Sequence, residues 1–222
     1  MVMQILLIAA TEIEIAPVLS NGLFADTLIT GVGVPETMYH LQKRVHQIDY
    51  DLIIQAGIAG SFSEKNNLGD CVIVKQDRLA DVGIYEKNNF NSVFDMKFTA
   101  KDNFPYQNGW LVSNHNIIET IGLKKVKGIT INMISDQADM NAVFIKKYQP
   151  EVESMEGAAL HYVCLQENIP FLQLRSISNF VGERDKSKWK MKEAIHNLNA
   201  EVNRLINQFS LTGLKAGKNN LS

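Results

Sequence analysis

Short apolar runs alternate along this chain with longer segments of helical periodicity, and that alternation restricts the possible folds more than any other feature. Apolar runs of strand length occupy residues 4–10, 52–56, 71–75, 128–134 and 171–177, and the second is expected to end at Gly57. Helices are predicted at residues 35–47, 157–166 and 189–209. The alternation predicts an α/β fold, in which helices cover both faces of a parallel or mixed sheet.

No internal repeat and no Pro/Ser-rich linker divides the chain, so we predict one domain over residues 1–211. Its last helix carries an apolar stripe that should face the sheet. Residues 212–222 lack apolar anchors and are expected to form a flexible tail. Residues 81–107 are polar, aromatic and weakly periodic, which predicts an irregular loop over a site.

Composition and charge argue against several classes of partner. The 222 residues carry 22 basic and 24 acidic side chains, and a net charge of −2 gives no field that would favour nucleic acid or a membrane surface. The longest apolar runs fall far short of the roughly 20 residues that a membrane helix needs. The chain enters a strand-like run directly after Met1, without a basic region or cleavage site, so we expect a cytoplasmic protein.

Cysteine and histidine usage gives no sign of a metal site. Cys71 and Cys164 lie in apolar surroundings without a Cys-x-x-Cys motif, and the five histidines show no ligand spacing. We therefore expect two buried thiols, no disulfide, no metal and no cofactor.

Four polar clusters lie where ligands bind in such sheets, at the carboxyl ends of strands. They occupy residues 11–14, 57–61, 154–159 and 175–179. Each has an ordinary structural explanation when it is taken alone. Glu14 suits a helix start, the glycines at 57 and 60 suit a tight turn, and Glu156 suits a helix cap. Their order and spacing carry more information than any single cluster.

The most specific segment is Met155-Glu156-Gly157-Ala158-Ala159, with Arg175-Ser176-Ile177-Ser178 beginning nineteen residues after Glu156. Together with Glu14 and the 57–60 segment, it resembles the purine nucleoside phosphorylase and nucleosidase superfamily from Met1 to about residue 209. The resemblance implies a three-layer αβα fold with a central mixed sheet. It also implies cleavage of the N-glycosidic bond of a purine nucleoside through a ribosyl cation-like state, and assembly as a homodimer or larger homo-oligomer.

The same resemblance implies roles for individual residues. Glu14 would hold and deprotonate the attacking water, Glu156 would accept hydrogen bonds from the ribose hydroxyls, and Met155 would pack on the sugar. Arg175 would steady the carboxylates, and Asn179 would contact the base. Further substrate contacts are expected from Ile58, Ala59, Gly60, Ser178 and Phe180.

The nucleophile and the base can both be argued from residue chemistry. A phosphate site needs several cations or a nest of amides. Phosphorylases of this superfamily carry arginines early in the chain and just before the 57-type segment, where this chain has Arg44 as its first arginine and Gln55. Water is therefore the expected nucleophile. Asn179 stands where adenine-specific nucleosidases carry aspartate, and its amide suits the edge of hypoxanthine better than that of adenine.

The stretch from Arg175 to Trp189 and the segment 57–62 resemble the futalosine hydrolase branch. That branch releases hypoxanthine from futalosine and leaves dehypoxanthine futalosine, a step in one route to menaquinone. Its substrate carries an aromatic carboxylate on the 5′ side. Candidate cations for this carboxylate are Arg78, Arg184 and Lys186, and candidate base-stacking residues are Phe180 and Phe144.

Three alternatives stay open at this point. They are a methylthioadenosine/adenosylhomocysteine nucleosidase, a phosphorylase for inosine-like nucleosides, and a catalytically inactive nucleoside-binding protein. Asn179 and Ile58 argue against the first, because the adenine-specific enzymes carry aspartate and serine there. The missing cations argue against the second, and the presence of Glu14, Glu156 and Arg175 argues against the third.

Overall fold

A computed structural model describes residues 3–20, 22–87, 89–134 and 136–212. Its strands are β1 (Ile5–Ala9), β2 (Asp26–Ile29), β3 (Leu52–Ser61), β4 (Cys71–Asp77), β5 (Gly83–Glu86), β6 (Asn89–Ser92), β7 (Tyr106–Gln107), β8 (Trp110–Val112), β9 (Lys124–Thr130), β10 (Val152–Ser154) and β11 (Phe171–Phe180). Its α-helices are α1 (Glu12–Leu19), α2 (Val34–Val45), α3 (Ala138–Tyr148), α4 (Gly157–Gln166) and α5 (Met191–Thr212). None of these helices combines the length and the hydropathy that a membrane span requires. The tail predicted at 212–222 lies, after Thr212, outside the described residues.

The described strands form a nine-stranded mixed sheet at the centre of the molecule and a separate two-stranded hairpin. β1 lies between β2 and β3 and is parallel to both, and β11 runs parallel to β3. Every residue of β1 is buried, as expected for a strand that helices cover on both faces. The predicted three-layer α/β fold with a central mixed sheet is confirmed.

Five strands of the sheet form a closed circuit. β3 pairs with β10, β10 with β9, β9 with β4, and β4 with β11, which returns to β3. This circuit brings β10 and the carboxyl ends of β3 and β11 side by side. Gly60 of β3 pairs with Glu153 of β10 on one edge and with Asn179 of β11 on the other.

Helices cover both faces of the sheet. α1 and α5 pack on one face through a core that includes Ile15, Leu198 and Val202. α2 and α4 pack on the opposite face through Leu41 and Leu160. The stripe predicted for the last helix is buried at five of its seven members, Ala194, Leu198, Val202, Leu205 and Ile206, and Phe209 at the end of the helix is buried too. Its other two members, Met191 and Ile195, line a cavity instead of the core.

β3 and β11 are longer than predicted. β3 runs to Ser61 rather than ending at Gly57, and β11 runs to Phe180 rather than to Ile177. The predicted turn at 57–60 is therefore wrong: both glycines lie in extended strand without positive φ. The cause is pairing on both edges, because β11 holds β3 along its length and β10 holds its last residues. A local pattern does not reveal partners so distant in sequence.

Residues 81–107 also differ from the prediction. They contain the antiparallel β5–β6 hairpin, and Phe90 of that hairpin is buried against Phe144. None of the described residues in this segment lines the cavity that holds the candidate site, so the predicted loop over a site is wrong. Likewise, the strand predicted at 128–134 lies at Lys124–Thr130.

A buried polar cluster anchors the first turn of α4. The carboxylate of Asp77 is buried at the end of β4, where Oδ1 accepts hydrogen bonds from the Thr130 hydroxyl at 2.9 Å and the Arg78 N–H at 2.6 Å. The Thr130 hydroxyl accepts a hydrogen bond from the Ala158 N–H at 2.7 Å. Burial raises the pKa of Asp77 to about 6, while its hydrogen bonds and the charge of Arg175 act in the opposite direction.

This raised pKa predicts a pH-dependent cost of folding. The advantage that protonated Asp77 gives the folded state is complete below pH 3.8 and is lost as the pH rises through about 6. The Asp77→Asn variant keeps the acceptor oxygen without the charge. We therefore expect it to gain about 1–3 kcal/mol of unfolding free energy, relative to wild type, between pH 4.5 and pH 8. Urea denaturation at the two pH values measures this gain, with exposed Asp49→Asn as the matched control. An equal difference at both pH values would contradict the prediction.

Candidate active site

A cavity of about 340 Å³ lies at the carboxyl ends of β1, β3 and β11. Eight of the ten predicted site residues line it: Glu14, Ile58, Ala59, Gly60, Met155, Glu156, Ser178 and Asn179. The backbone of β3 from Gly57 to Gly60 is called the cavity floor below. Arg175 is 1% exposed and lies behind the lining, and Phe180 does not contribute to it. The structure thus brings together residues from both ends of the chain.

Three hydrogen bonds fix the carboxylate of Glu14. Thr11 caps helix α1, and Oε2 of Glu14 accepts hydrogen bonds from the Thr11 N–H and hydroxyl, both at 3.0 Å. This is one half of a capping box. Oε1 accepts a third hydrogen bond from the Ile58 N–H on the cavity floor, at 3.2 Å. The helix-start explanation for Glu14 is therefore correct, and the same contacts hold its carboxylate at the cavity.

The amide of Asn199 bridges an opening in helix α1. Its Nδ2 donates to the Glu14 carbonyl at 2.8 Å, and its Oδ1 accepts from the Val18 N–H at 3.0 Å. In a regular α-helix those two backbone groups would bond to each other. Pro17 lies inside this helix and has no N–H to donate. Asn199, which is 5% exposed on α5, therefore ties the backbone that carries Glu14 to the longest helix.

Gly57 allows two charged side chains to approach the cavity floor. A Cβ atom at this position would lie 2.0 Å from Nη1 of Arg175 and 3.0 Å from Oε1 of Glu14. Nη2 of Arg175 donates to Oε1 of Gln55 at 2.7 Å. The seven ion pairs found among the described residues do not include Arg175. Its guanidinium is therefore a buried positive charge behind the floor. Glycine is needed here for close approach, whereas the sequence suggested a turn.

Glu156 projects into the cavity from the residue before α4. Its Oε1 accepts a hydrogen bond from the Gly33 N–H at 2.9 Å. Gly31 and Gly33 have φ of +86° and +91°, a backbone conformation that favours glycine. Burial raises the pKa of Glu156, while the charge of Arg175 and the Gly33 hydrogen bond act in the opposite direction.

The amide of Asn179 has a fixed orientation at the far end of the floor. Its Nδ2 donates to the Phe180 carbonyl at 3.0 Å, and its Oδ1 accepts from the Ser178 hydroxyl at 2.8 Å. A carbonyl accepts only, so the nitrogen must face Phe180. An amide nitrogen carries two hydrogens and its oxygen two lone pairs. One donor and one acceptor therefore stay free for a molecule in the cavity.

Glu153 also lines the cavity, although no sequence motif singles it out. It is 6% exposed, and burial raises its pKa to about 7. A Cβ atom at Gly60 would lie 3.4 Å from Cγ of Glu153 and 3.5 Å from Nδ2 of Asn179, so both side chains border the same glycine. Glu153 is distinguished from other glutamates in strands only by the pairing of β10 with β3. The local sequence does not reveal that pairing.

The wider rim of the cavity contains Trp189 and Arg184. Trp189 is the aromatic residue among the described lining residues, and its Nε1 donates to the Glu183 carbonyl at 2.9 Å. Arg184 is exposed. Ile13, Val32 and Ile134 add apolar surface that is 72%, 53% and 46% exposed.

Three further candidates, two for binding the 5′ carboxylate and one for base stacking, lie outside the cavity lining. The guanidinium of Arg78 lies 4.0 Å from the ring centre of Tyr148 and 5.0 Å from that of Trp110, outside the cavity lining. Phe144 is 4% exposed and packs on Phe90 and Tyr148, so it cannot stack on a ligand in this cavity. Lys186 does not line the cavity either. The positions of Arg78 and Phe144 depend on the packing of the β4–β8 region and of α3, which sequence spacing does not fix.

The cavity lining contains more acidic than basic side chains. Glu14, Glu153, Glu156 and Glu183 line the cavity, and Arg184 is the one cationic residue among its described lining residues. Arg44 bonds instead to the Thr27 carbonyl and the Tyr50 hydroxyl. This arrangement opposes a phosphate dianion and favours a substrate that becomes cationic. The described residues gather no cluster of potential metal ligands, and Cys71 and Cys164 are free thiols.

Comparisons with known proteins identify one family model and several relatives that match this chain. The family model of the phosphorylase superfamily matches residues 27–208. A futalosine hydrolase of Thermus thermophilus is 28% identical over 182 residues, which cover 81% of this chain and 80% of the relative. A 5′-methylthioadenosine/S-adenosylhomocysteine nucleosidase of Psychromonas ingrahamii is 27% identical over 68% of this chain and 65% of the relative. The crystal structure of the nucleosidase from Neisseria meningitidis, in complex with methylthio-immucillin-A, superposes with a TM-score of 0.76 and 18% identity over 92% of this chain and 99% of that one.

The bridge formed by Asn199 generates a prediction. Asn199→Ala leaves the buried Val18 N–H and Glu14 carbonyl without their partners, so we expect a loss of about 1–3 kcal/mol in unfolding free energy. The amide hydrogen of Val18 should also exchange faster in the folded protein. Urea denaturation and hydrogen exchange measure the two effects. The control is Asn203→Ala, one turn further along α5 and exposed. Wild-type protection of Val18 in the variant would show that the bridge does not stabilise α1.

Proposed function

The chain belongs to the phosphorylase superfamily, and within it we propose that this protein is an N-ribosyl hydrolase that cleaves futalosine to hypoxanthine and dehypoxanthine futalosine. One observation carries the proposal. The fixed carboxylate of Glu14 and the amide of Asn179 lie at opposite ends of the cavity floor. Ile58 and Gly60, which they border, are two residues apart, or about 7 Å along a strand. This spacing suits a ribose with water on one side and the base on the other.

Glu14 is the proposed base for the attacking water. Its carboxylate accepts hydrogen bonds from Thr11 and Ile58 and is partly exposed to the cavity. A water that donates to this carboxylate can lose its proton as its oxygen bonds to the anomeric carbon. Because the carboxylate is already held in place, little reorganisation accompanies the step.

Glu156 and Met155 are the proposed ribose contacts. The Glu156 carboxylate has one oxygen on the Gly33 N–H, which leaves acceptor capacity for the sugar hydroxyls. Breaking the glycosidic bond places positive charge on the ribose. The carboxylates of Glu14 and Glu156 then stabilise that charge more than they stabilise the neutral substrate, which is the condition for lowering the barrier.

Asn179 is the proposed reader of the base. Its free donor can bond to the 6-oxo group of hypoxanthine, and its free acceptor can receive the N–H that forms at N7. Adenine presents an amino donor where hypoxanthine presents an acceptor. The fixed amide would face that amino group with its N–H and leave a buried donor unpaired.

The nucleophile proposed is water because the acidic lining opposes phosphate. The buried Arg175 carries its charge behind the cavity floor, bonded to Gln55, and the exposed Arg184 stands at the rim. We assign Arg184 to the carboxylate on the 5′ side of futalosine and Trp189 to the apolar wall beside it. Asn179 and Ile58 favour futalosine over the methylthioadenosine-type substrates named for several relatives.

The cellular setting follows from the proposed reaction. The enzyme would serve a route to menaquinone from the cytoplasm, where Cys71 and Cys164 stay as free thiols. We also propose a homodimer or larger homo-oligomer. The exposed apolar side chains of Ile13, Val32 and Ile134 around the cavity mouth are of the kind that a second copy covers.

Removal of the base at position 14 tests the water-activation step. Glu14→Gln keeps the shape and most hydrogen bonds but cannot take a proton, so we expect turnover of futalosine to fall at least a hundredfold. Substrate affinity should change by less than about threefold. Chromatography of products and calorimetric titration measure the two quantities. The matched control is exposed Glu12→Gln in the same helical turn.

The wild-type chromatogram decides between substrates in the same experiment. Incubation with futalosine, inosine and methylthioadenosine should release hypoxanthine from futalosine fastest, without phosphate. Dominant adenine release would reject the proposed substrate, and a requirement for phosphate would reject hydrolysis. Near-full activity of Glu14→Gln would remove this residue from water activation.

Base recognition is tested at position 179. Asn179→Asp replaces the free donor by a carboxylate oxygen, so cleavage of futalosine should fall tenfold or more, on the scale of a buried polar mismatch of about 1–3 kcal/mol. Steady-state kinetics with futalosine and methylthioadenosine measures the change, with exposed Asn203→Asp as the control. An unchanged rate on futalosine would mean that this side chain does not contact the base.

A further inference from the structure

The leaving base needs a proton, and Asn179 cannot supply one. When the bond between ribose and base breaks, its electron pair stays on the purine, which leaves faster if a ring nitrogen is protonated in the same step. A carboxamide donates hydrogen bonds but does not release a proton at neutral pH. The base end of the cavity floor therefore requires a separate acid.

Glu153 is in position to be that acid. It borders Gly60 from β10, while Asn179 borders the same glycine from β11. Glu153 lines the cavity, and the residue is 6% exposed. It stands at the opposite end of the floor from Glu14, the proposed base for water. An acid and a base are thus separated by the space that a ribose would occupy.

We propose that Glu153 is the catalytic acid that protonates the departing purine, an inference that rests on the proposed N-ribosyl hydrolase function. In the step, the carbon–nitrogen bond breaks and its electrons stay on the base. The proton of the Glu153 carboxyl passes to a ring nitrogen of that base. The oxygen of water bonds to the anomeric carbon, and its proton passes to Glu14. Solvent then returns a proton to Glu153 and removes one from Glu14.

The other carboxyl groups of the lining have hydrogen-bond donors or a cation beside them, which Glu153 lacks. Glu14 accepts three hydrogen bonds, Glu156 accepts one from Gly33, and Glu183 forms an ion pair with Lys188. No group in the described part of the chain donates a hydrogen bond to the Glu153 carboxyl. Burial without such donors keeps the proton on, and the pKa of Glu153 rises to about 7.

The charges around Glu153 come from several elements. Glu14 on α1, Glu156 before α4, and Glu183 and Arg184 after β11 line the same cavity, and Arg175 of β11 lies behind its floor. An acid at this position works while it is protonated. The rate of cleavage should therefore fall as the pH rises through about 7, the pKa of Glu153.

Two substrates with different leaving groups separate acid catalysis from a structural role. Futalosine requires protonation of the base, whereas p-nitrophenyl β-D-riboside releases p-nitrophenolate, which leaves without a proton. We expect Glu153→Gln to lower kcat/KM on futalosine about a hundredfold at pH 6 and to abolish the fall in rate above pH 7. The rate on the nitrophenyl riboside should change less than about threefold. Glu153→Asp, which keeps the acid, should recover part of the futalosine rate.

The control is Glu151→Gln, two residues earlier, where the carboxylate pairs with Lys124 outside the cavity lining. Equal losses on both substrates, or a Glu153→Gln variant with the wild-type rate and pH profile on futalosine, would overturn the proposal. Failure of the wild-type enzyme to cleave futalosine would instead reject the proposed function, and it would be visible before any variant is compared.

Discussion

The cavity depends on β3, which has glycine at positions 57 and 60 where the strand meets the site. β11 pairs with β3 at both Gly57 and Gly60, and β10 pairs with Gly60 on the other edge, so the cavity floor is extended strand with no side chain at either glycine. Charged and polar groups can therefore approach its backbone closely. Arg175 and Glu14 occupy the space beside Gly57, and Glu153 and Asn179 the space beside Gly60. A methyl group at Gly57 would overlap the guanidinium and displace the carboxylate beside it.

Gathering several carboxyl groups in one cavity is costly unless their protonation states differ. Here the donors differ from group to group. Glu14 receives a helix cap and a strand N–H, Glu156 receives the N–H of a glycine turn, and Glu153 receives neither. Hydrogen-bond donors favour the ionised form of a carboxyl group, whereas burial without them favours the protonated form, as at Glu153. In the proposed reaction, this contrast divides the work between a base that activates water and an acid that serves the leaving group.

The exchange of an acid for an amide at position 179 has consequences beyond base recognition. In the proposed reaction, the amide of Asn179, which is tied to Ser178 and Phe180, would read a 6-oxopurine, but it cannot supply the proton that an aspartate could. In this chain, the buried carboxyl of Glu153 stands next to that amide across Gly60. The proposed mechanism thus divides base recognition and proton supply between two neighbouring side chains from different strands.

The sequence by itself determined the alternation of strands and helices, the buried faces of those elements, and eight of the residues that line the cavity. Those features depend on local periodicity and on motifs such as Met155-Glu156-Gly157. Both involve residues that are close together in the sequence. Only the tertiary structure decided that residues 57–60 are strand rather than turn, that Arg78 and Phe144 lie away from the cavity, and that Glu153 faces it. The reason is physical: strand pairing and burial join segments far apart in the chain, and the pKa of a carboxyl depends on neighbours that only the folded chain brings near.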